Sequence, residues 1–376
     1  MKTQPLRVLV AMGTRPEVIK LAPVVRALRN QSDQLQTVVC ATAQHRQMLD
    51  QAFSVFDLKP DIDLNLMAPG QDIYDVTSRV LLAMRSVLAE YQPDVVLVQG
   101  DTTTTFAVAL AASYAKRRVG HIEAGLRSGD KLRPFPEEIN RILASSLTNY
   151  HFPPTERSRE NLLREGFPAA DILVTGNTVI DALHQALPRA RAQGSPPGLE
   201  LDSSRRMILV TGHRRESFGS GIQSMCEALA TLARSRMDVE IVYPVHLNPN
   251  VRGPVHELLG GLDRVHLIEP LPYLPFLWLM DRAYLLLTDS GGVQEEGPAL
   301  GKPVLVMREV TERPEAVDAG AAELVGTDRE RIVSTVCRLL DEPASYERMS
   351  KAGSPYGDGH ASERIVDFLL KRLPRR

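Results

Sequence analysis

The sequence predicts an α/β protein made of two Rossmann-like parallel-sheet domains. Three observations carry that prediction. Short runs of Val, Ile and Leu alternate with helix-length segments along the whole chain, which is the signature of βαβ units. The composition is 43% apolar but only 5% aromatic, as expected of aliphatic cores around parallel sheets buried on both faces. The length, 376 residues, accommodates two cores of ordinary size.

Taken in order, the first half offers strands at Arg7–Met12, Thr37–Thr42, Val95–Gln99, Val119–Glu123, Tyr150–Phe152 and Ile172–Thr175. Helical patterns run over Val18–Leu28, after Pro16, and over Ile73–Glu90. A further helix is expected to take its first turn just after Pro136, where proline is well tolerated. The second half repeats the alternation with strands at Met207–Thr211, Val239–Tyr243, Val265–Ile268, Tyr284–Thr288, Pro303–Met307 and Glu323–Val325. Between the halves, Pro188-Arg-Ala-Arg-Ala-Gln-Gly-Ser-Pro-Pro-Gly198 reads as a loop. The boundary is therefore expected between about 178 and 206, dividing an N-terminal domain, 1–178, from a C-terminal one, 179–360.

Most of the distinctive motifs follow a strand: Gly13-Thr-Arg-Pro-Glu17, Gly100-Asp-Thr-Thr-Thr-Thr105, Glu123-Ala-Gly125, Gly212-His-Arg-Arg-Glu216, Pro244-Val-His-Leu-Asn248 and Asp289-Ser-Gly-Gly292. Open parallel sheets bind ligands beyond the carboxyl ends of their strands. Two such sheets imply a GT-B fold with a cleft between its domains.

Several function classes are excluded. The formal net charge of −2, without a long basic run, argues against nucleic acid. The odd set Cys40, Cys226 and Cys337, widely spaced, reads as reduced thiols. Met1-Lys2-Thr3-Gln4 leads straight into a core strand and no apolar run reaches membrane-spanning length, so a soluble cytoplasmic protein is expected, not a membrane partner. The dinucleotide fingerprint is missing after the first strand, no phosphate-binding Walker loop occurs, and His256-Glu257 lacks the second histidine of a zinc helix. No cofactor and no metal are therefore expected.

Two groups of residues carry candidate chemistry. His121-Ile-Glu-Ala-Gly-Leu-Arg-Ser128 and Pro134-Phe-Pro-Glu-Glu-Ile-Asn-Arg141 crowd Glu123, Glu137, Glu138, Arg127 and Arg141 around one loop. Half-desolvated carboxylates at a strand end suit proton transfer. The second group, Thr288-Asp-Ser-Gly-Gly-Val-Gln-Glu-Glu296, is a strand end, a glycine turn and a helix start. Backbone N–H groups there bind phosphate. Ser290 adds a hydroxyl beside Gly291 and Gly292, and Glu296 stands where it can accept a ribose diol. Phe276 is a candidate platform for a base, although an aromatic at that spacing is as readily core. Arg15 and Arg313 are candidate phosphate clamps.

Together these motifs resemble the non-hydrolysing UDP-N-acetylglucosamine 2-epimerases. The match also draws on Thr42-Ala-Gln-His-Arg46, Thr175-Gly-Asn177, Tyr243-Pro-Val-His-Leu-Asn-Pro249, Thr311-Glu-Arg-Pro-Glu315 and Pro355-Tyr-Gly-Asp-Gly359. The resemblance implies a GT-B homodimer independent of NAD and metal, with a last helix, about 361–376, packing back on the first domain. It implies epimerisation at C-2 by elimination of UDP to a 2-acetamidoglucal and re-addition, serving cell-envelope polysaccharide. It assigns Asp101, Glu123 and Glu137 as catalytic carboxylates, His213 as the cation on the UDP side, and Lys20 to the substrate contacts. Which carboxylate takes the proton is left open, and Gly100-Asp-Thr-Thr also reads as a helix cap. A second UDP-N-acetylglucosamine, acting as an allosteric activator, would meet Gln44, His45, Gln47 and His246, although Gly70 stands where such members tend to carry arginine. Leu132-Arg133, where relatives often carry Tyr-Ser, keeps a modified UDP-hexosamine as an alternative substrate. A GT-B glycosyltransferase, a hydrolysing epimerase and a non-catalytic nucleotide-sugar sensor are the competing readings.

Overall fold

The structure is a computed structural model that describes residues 4–42, 46–68 and 70–374. The chain divides into two units, Met1–Ala186 with Tyr356–Arg376, and Leu187–Pro355. In the first unit the elements are β1 (Leu6–Met12), α1 (Arg15–Arg29), β2 (Leu35–Ala41), α2 (Arg46–Val55), β3 (Ile62–Asp63), α3 (Ile73–Tyr91), β4 (Val95–Gln99), α4 (Thr103–Tyr114), β5 (Arg118–Ile122), α5 (Glu137–Leu147), β6 (Tyr150–Phe152) and α6 (Glu156–Arg164). Helix α7 (Thr178–Gln193) runs through the point of division.

The second unit holds β7 (Arg206–Thr211), α8 (Ser220–Ser235), β8 (Val239–Pro244), α9 (Pro249–Leu259), β9 (Val265–Ile268), α10 (Tyr273–Arg282), β10 (Leu285–Thr288), α11 (Gly291–Ala299), β11 (Val304–Val306), α12 (Pro314–Asp318), β12 (Ala322–Leu324), α13 (Arg329–Asp341) and α14 (Pro343–Ser350). The chain then returns to the first unit as α15 (Ala361–Arg372), which packs on α1. Asp181 of α7 caps α15, its carboxylate accepting the N–H of Ala361 at 3.2 Å and of Ser362 at 2.8 Å.

Both sheets are six-stranded and fully parallel, ordered β3-β2-β1-β4-β5-β6 and β12-β11-β10-β7-β8-β9. Each is the doubly wound Rossmann order, with its switch point between the first and fourth strands of its own unit. Those strands are β1 and β4 in one unit, β7 and β10 in the other. The central strands are buried aliphatic runs, for example Val8–Met12, Val95–Val98 and Leu285–Leu287, as two-sided burial demands. In α4, buried Ala107, Ala109, Ala111 and Ala112 allow close packing between α3 and α5.

The expected strand at Ile172–Thr175 does not form; only an isolated bridge joins His151 to Ile172. Leu173 and Thr175 donate to the carbonyls of His151 and Pro153, but Pro153 and Pro154 have no N–H to return, so the ladder stops. Strand β3 was not expected, because two residues among aspartates give no apolar run.

Candidate active site

In the first unit, the loops after β1, β4 and β5 form one hydrogen-bonded group. Glu17, fully buried on α1, accepts the N–H of Gly13 at 2.9 Å and of Thr14 at 2.7 Å, and the hydroxyl of Thr102 at 2.8 Å. Burial pushes its carboxyl above the ordinary value, against these bonds. Glu17 thus ties the β1 loop to the β4 loop. Gly13 is the close approach in this arrangement, since a Cβ there would lie 2.3 Å from Thr104 Oγ1.

After β4, Asp101 is not the helix cap. Thr102 holds that place, accepting the Thr105 N–H. The Asp101 carboxylate instead receives Arg141 of α5, at 3.0 Å from Nε and 2.7 Å from Nη2, both on Oδ2. Arg141, with a side chain only 6% exposed, gives Nη1 to Glu138 at 3.0 Å. The other oxygen of Glu138 accepts the N–H groups of Ser128 and Gly129. Glu138 and Arg141 therefore fold the β5–α5 loop back on itself and hold Asp101 in place.

Glu123 follows β5 and is buried, with a left-handed φ of +63°. A non-glycine residue in that region is strained and persists only where its surroundings fix it. Oε2 is fixed by Lys20 Nζ of α1 and by Gln99 Nε2, the last side chain of β4, each at 2.5 Å. Lys20 thus pairs with a catalytic candidate. Glu137 opens α5, and its Oε2 is buried with no hydrogen-bond partner among the described residues. His121, one residue before the end of β5, gives Nε2 to the Gly100 carbonyl at 2.7 Å. Burial drops its pKa to about 4, so the ring is a neutral donor there. Arg15 is the first residue of α1, with no carboxylate partner among the described residues. A cation at a helix N-terminus is unfavourable unless an anion joins it.

In the second unit the site is built at the ends of β7 and β10. Ser290 holds the N-cap position of α11, without a capping bond from its side chain. Asp289, 1% exposed, accepts the N–H groups of His213 at 2.6 Å and Arg214 at 2.7 Å. Its Oδ1 lies 3.3 Å from His213 Nδ1. The His213 ring is 40% exposed and stacks on His246, centroids 5.4 Å apart. His246 Nδ1 accepts the Asn248 N–H. Burial holds the His213 pKa below its ordinary value, only partly offset by Asp289. Burial thus works against the cationic His213 that the family resemblance implies, whereas an anion beside the ring would favour it.

Gly291 and Gly292 begin α11, and the Arg313 guanidinium lies beside Gly291, where a Cβ would be 3.9 Å from its Cζ. Arg313 also bonds Glu295 through Nε. Gly292 sits against Glu296, whose Oε2 would be 3.8 Å from a Cβ there. The opposite oxygen, Oε1, accepts the Tyr273 hydroxyl at 2.9 Å. Phe276, one turn along α10 from Tyr273, is half-buried. Ser290, Gly291, Gly292, Glu296 and Arg313 are therefore brought together, as an anion and polyol site requires.

Gln44 and His45 lie outside the described residues, as does the side chain of Gln47. Sequence reasoning missed Glu17, Gln99, Asp289 and Tyr273. Only Glu17 carried a local signal, the Thr-x-x-Glu capping pattern. Among the described residues no cluster of His, Cys, Asp and Glu could hold a metal, and no helix is long and apolar enough to cross a membrane.

Two Rossmann-like domains of this topology define the GT-B class, whose sheets handle nucleotide-activated sugars. Within that class the chain belongs to the UDP-N-acetylglucosamine 2-epimerase family, whose model matches residues 26–370. It is 58% identical over 369 residues to a probable UDP-N-acetylglucosamine 2-epimerase of Ralstonia nicotianae, spanning 96% of this chain and 97% of that protein. It is 55% identical over 370 residues to the UDP-N-acetylglucosamine 2-epimerase of Escherichia coli K12, spanning 97% and 98%. The crystal structure of the Neisseria meningitidis UDP-GlcNAc 2-epimerase bound to UDP-GlcNAc superposes with a TM-score of 0.91 at 48% identity, covering 98% of this chain and 100% of that one.

Proposed function

We propose that the protein interconverts UDP-N-acetylglucosamine and UDP-N-acetylmannosamine by eliminating and re-adding UDP. The C-2 hydrogen of an N-acetylhexosamine is not α to a carbonyl and resists a simple base. Rupture of the anomeric C–O bond makes C-1 cationic and acidifies the neighbouring C–H. A carboxylate takes the C-2 proton, the electron pair forms the C-1–C-2 double bond, and UDP leaves with the anomeric oxygen. Protonation of the resulting 2-acetamidoglucal on the opposite face, with re-addition of UDP, gives the epimer. The balance needs no oxidant.

The observation that carries this reading is the placing of Asp101, Glu123 and Glu137 on loops and a helix end beside one switch point, each in a different hydrogen-bonding state. Such groups act as the acids and bases. Arg15, Arg313, His213 and the α11 N-terminus with Ser290, Gly291 and Gly292 would hold the UDP anion, Glu296 its ribose and Phe276 its base. The reading extends to a cytoplasmic homodimer supplying N-acetylmannosamine for cell-envelope polysaccharide. Domain 1–178 with the last helix would carry the sugar chemistry, and domain 179–360 the nucleotide. A second UDP-N-acetylglucosamine, at Gln44, His45, Gln47 and His246, would act as activator.

The test is proton NMR of the protein with UDP-N-acetylglucosamine in deuterium oxide, no cofactor added. UDP-N-acetylmannosamine with deuterium at C-2 of both epimers is expected. Unchanged substrate would sink the reading, and free N-acetylmannosamine with UDP would assign the hydrolysing reaction instead.

A further inference from the structure

We infer that Gln99 is a positioning residue for the reaction: with Lys20 it clamps Glu123 as the carboxylate that takes the C-2 proton. The inference rests on the function proposed above and deepens it. Gln99 is 4% exposed and ends β4, pairing with Ile122, while the Thr105 hydroxyl fixes its carbonyl at 2.6 Å. Its amide nitrogen and the Lys20 ammonium both lie 2.5 Å from one oxygen, Glu123 Oε2. An ammonium has only donors to give, so this oxygen accepts twice and carries no proton. Two donors on one carboxylate oxygen favour the ionised form, the state a proton acceptor needs.

Geometry adds a second constraint. The left-handed backbone of Glu123 and the bond from its N–H to the Phe152 carbonyl, 3.0 Å, fix where the side chain starts. Gln99 and Lys20 fix where it ends. A base held at both ends is kept ready for transfer without reorganisation. The bond to Glu123 satisfies the side-chain amide of a glutamine buried at the end of a central strand.

Other titratable or charged groups on the neighbouring elements are Arg15 and Glu17 on α1, Asp101 after β4, His121 on β5 and Arg127 after it, His151 on β6, and Glu137, Glu138 and Arg141 on α5. Burial raises the Glu17 carboxyl above its ordinary value. His121 and His151, whose pKa values burial lowers to about 4 and about 3, stay neutral across the working range. Asp101 and Glu138 are both held by Arg141. The step itself balances as written above: the proton goes to Glu123, and its electron pair goes to the C-1–C-2 bond as UDP departs.

The experiment compares the full-length protein with Gln99→Met and Lys20→Met, measuring kcat and KM for UDP-N-acetylglucosamine from about pH 5 to pH 9. Far-UV circular dichroism with urea unfolding checks that each variant is folded, and calorimetry measures UDP binding. In each variant the acid limb of kcat is expected to move up by about one pH unit or more, with kcat below it falling about tenfold. KM and UDP affinity are expected to stay within about threefold. A uniform loss of kcat with the limb unmoved would overturn the inference and leave Gln99 a packing residue. If Gln99→Met fails to fold, Lys20→Met carries the same test on the same oxygen. Failure of the underlying function is separately visible, because the unaltered protein would then exchange no hydrogen at C-2.

Discussion

Arg141→Lys is the substitution whose consequence follows most directly from the geometry. The guanidinium reaches two carboxylates at once, Asp101 through Nε and Nη2 and Glu138 through Nη1. A lysine ammonium is a single point and can serve only one of them. Two of the three charge-assisted bonds are then lost, and one of the two carboxylates is left without its cation. Glu138 is 1% exposed, and breaking a buried ion pair of this kind costs about 3–5 kcal/mol. A domain holds only about 5–15 kcal/mol of stability, so the first unit would become marginal. Amide hydrogen exchange in α5 and urea unfolding followed by far-UV circular dichroism measure the change. The single tryptophan, Trp278, lies on α10 of the second unit, so its fluorescence transition should stay in place. Asp101 loses its orientation as well, and kcat should fall at least about tenfold. A loss below about 1 kcal/mol together with kcat within about twofold would refute the reasoning.

Three further outcomes are expected. Gly125→Ala should cost about 3 kcal/mol or more, because φ is +85° and the new Cβ would lie 2.2 Å from the backbone oxygen of Ser158; the same exchange and urea measurements check it, and a loss under about 1 kcal/mol contradicts it. Tyr273→Phe removes the donor to Glu296 Oε1 and should weaken UDP binding about tenfold by calorimetry, whereas an unchanged affinity would remove Tyr273 from the site. His151 is buried with its folded pKa lowered to about 3, so its contribution is present above the unfolded value and is lost as pH falls towards the folded one. Between about pH 7.5 and pH 5 it should cost the first unit about 2 kcal/mol. His151→Leu should abolish that part of the pH dependence in urea titrations, and an identical pH dependence in the variant would count against it.

How far the sequence discloses this molecule depends on how local each signal is. Apolar runs ending in glycine or aspartate are local, so the strands β1, β4, β5, β7 and β10 and the motifs behind them are visible in one pass. Glu138 and Arg141 are visible as a cluster, but the Asp101 that Arg141 holds is 40 residues away and no spacing announces it. Gln99 is hidden for the same reason. It closes an apolar run and looks like a strand terminus until Glu123 is seen against it. Asp289 gives no local sign of its role, and only parallel pairing of β7 with β10 brings it to the His213 loop. The charge state of His213 depends on burial, which the polar run Gly-His-Arg-Arg does not suggest.

The two units share one topology and put opposite chemistry at their switch points. At the first, Glu17, Asp101, Glu123 and Glu138 bring negative charge to the strand ends, and Lys20 and Arg141 hold part of it in fixed directions. At the second, Asp289 accepts two backbone N–H groups and so turns the His213 ring outward, beside a helix start that carries Arg313. The carboxylate there is used up in shaping a loop, and what it presents is imidazole, amide N–H and guanidinium. The elimination and re-addition proposed above would need such a division. The sugar fragment would have to meet carboxylates that trade a proton, while the departed UDP would have to be kept by groups that favour an anion. Carboxylates close to the diphosphate would repel it. Carboxylates at the first switch point and anion-holding groups at the second would let one fold meet both of these demands.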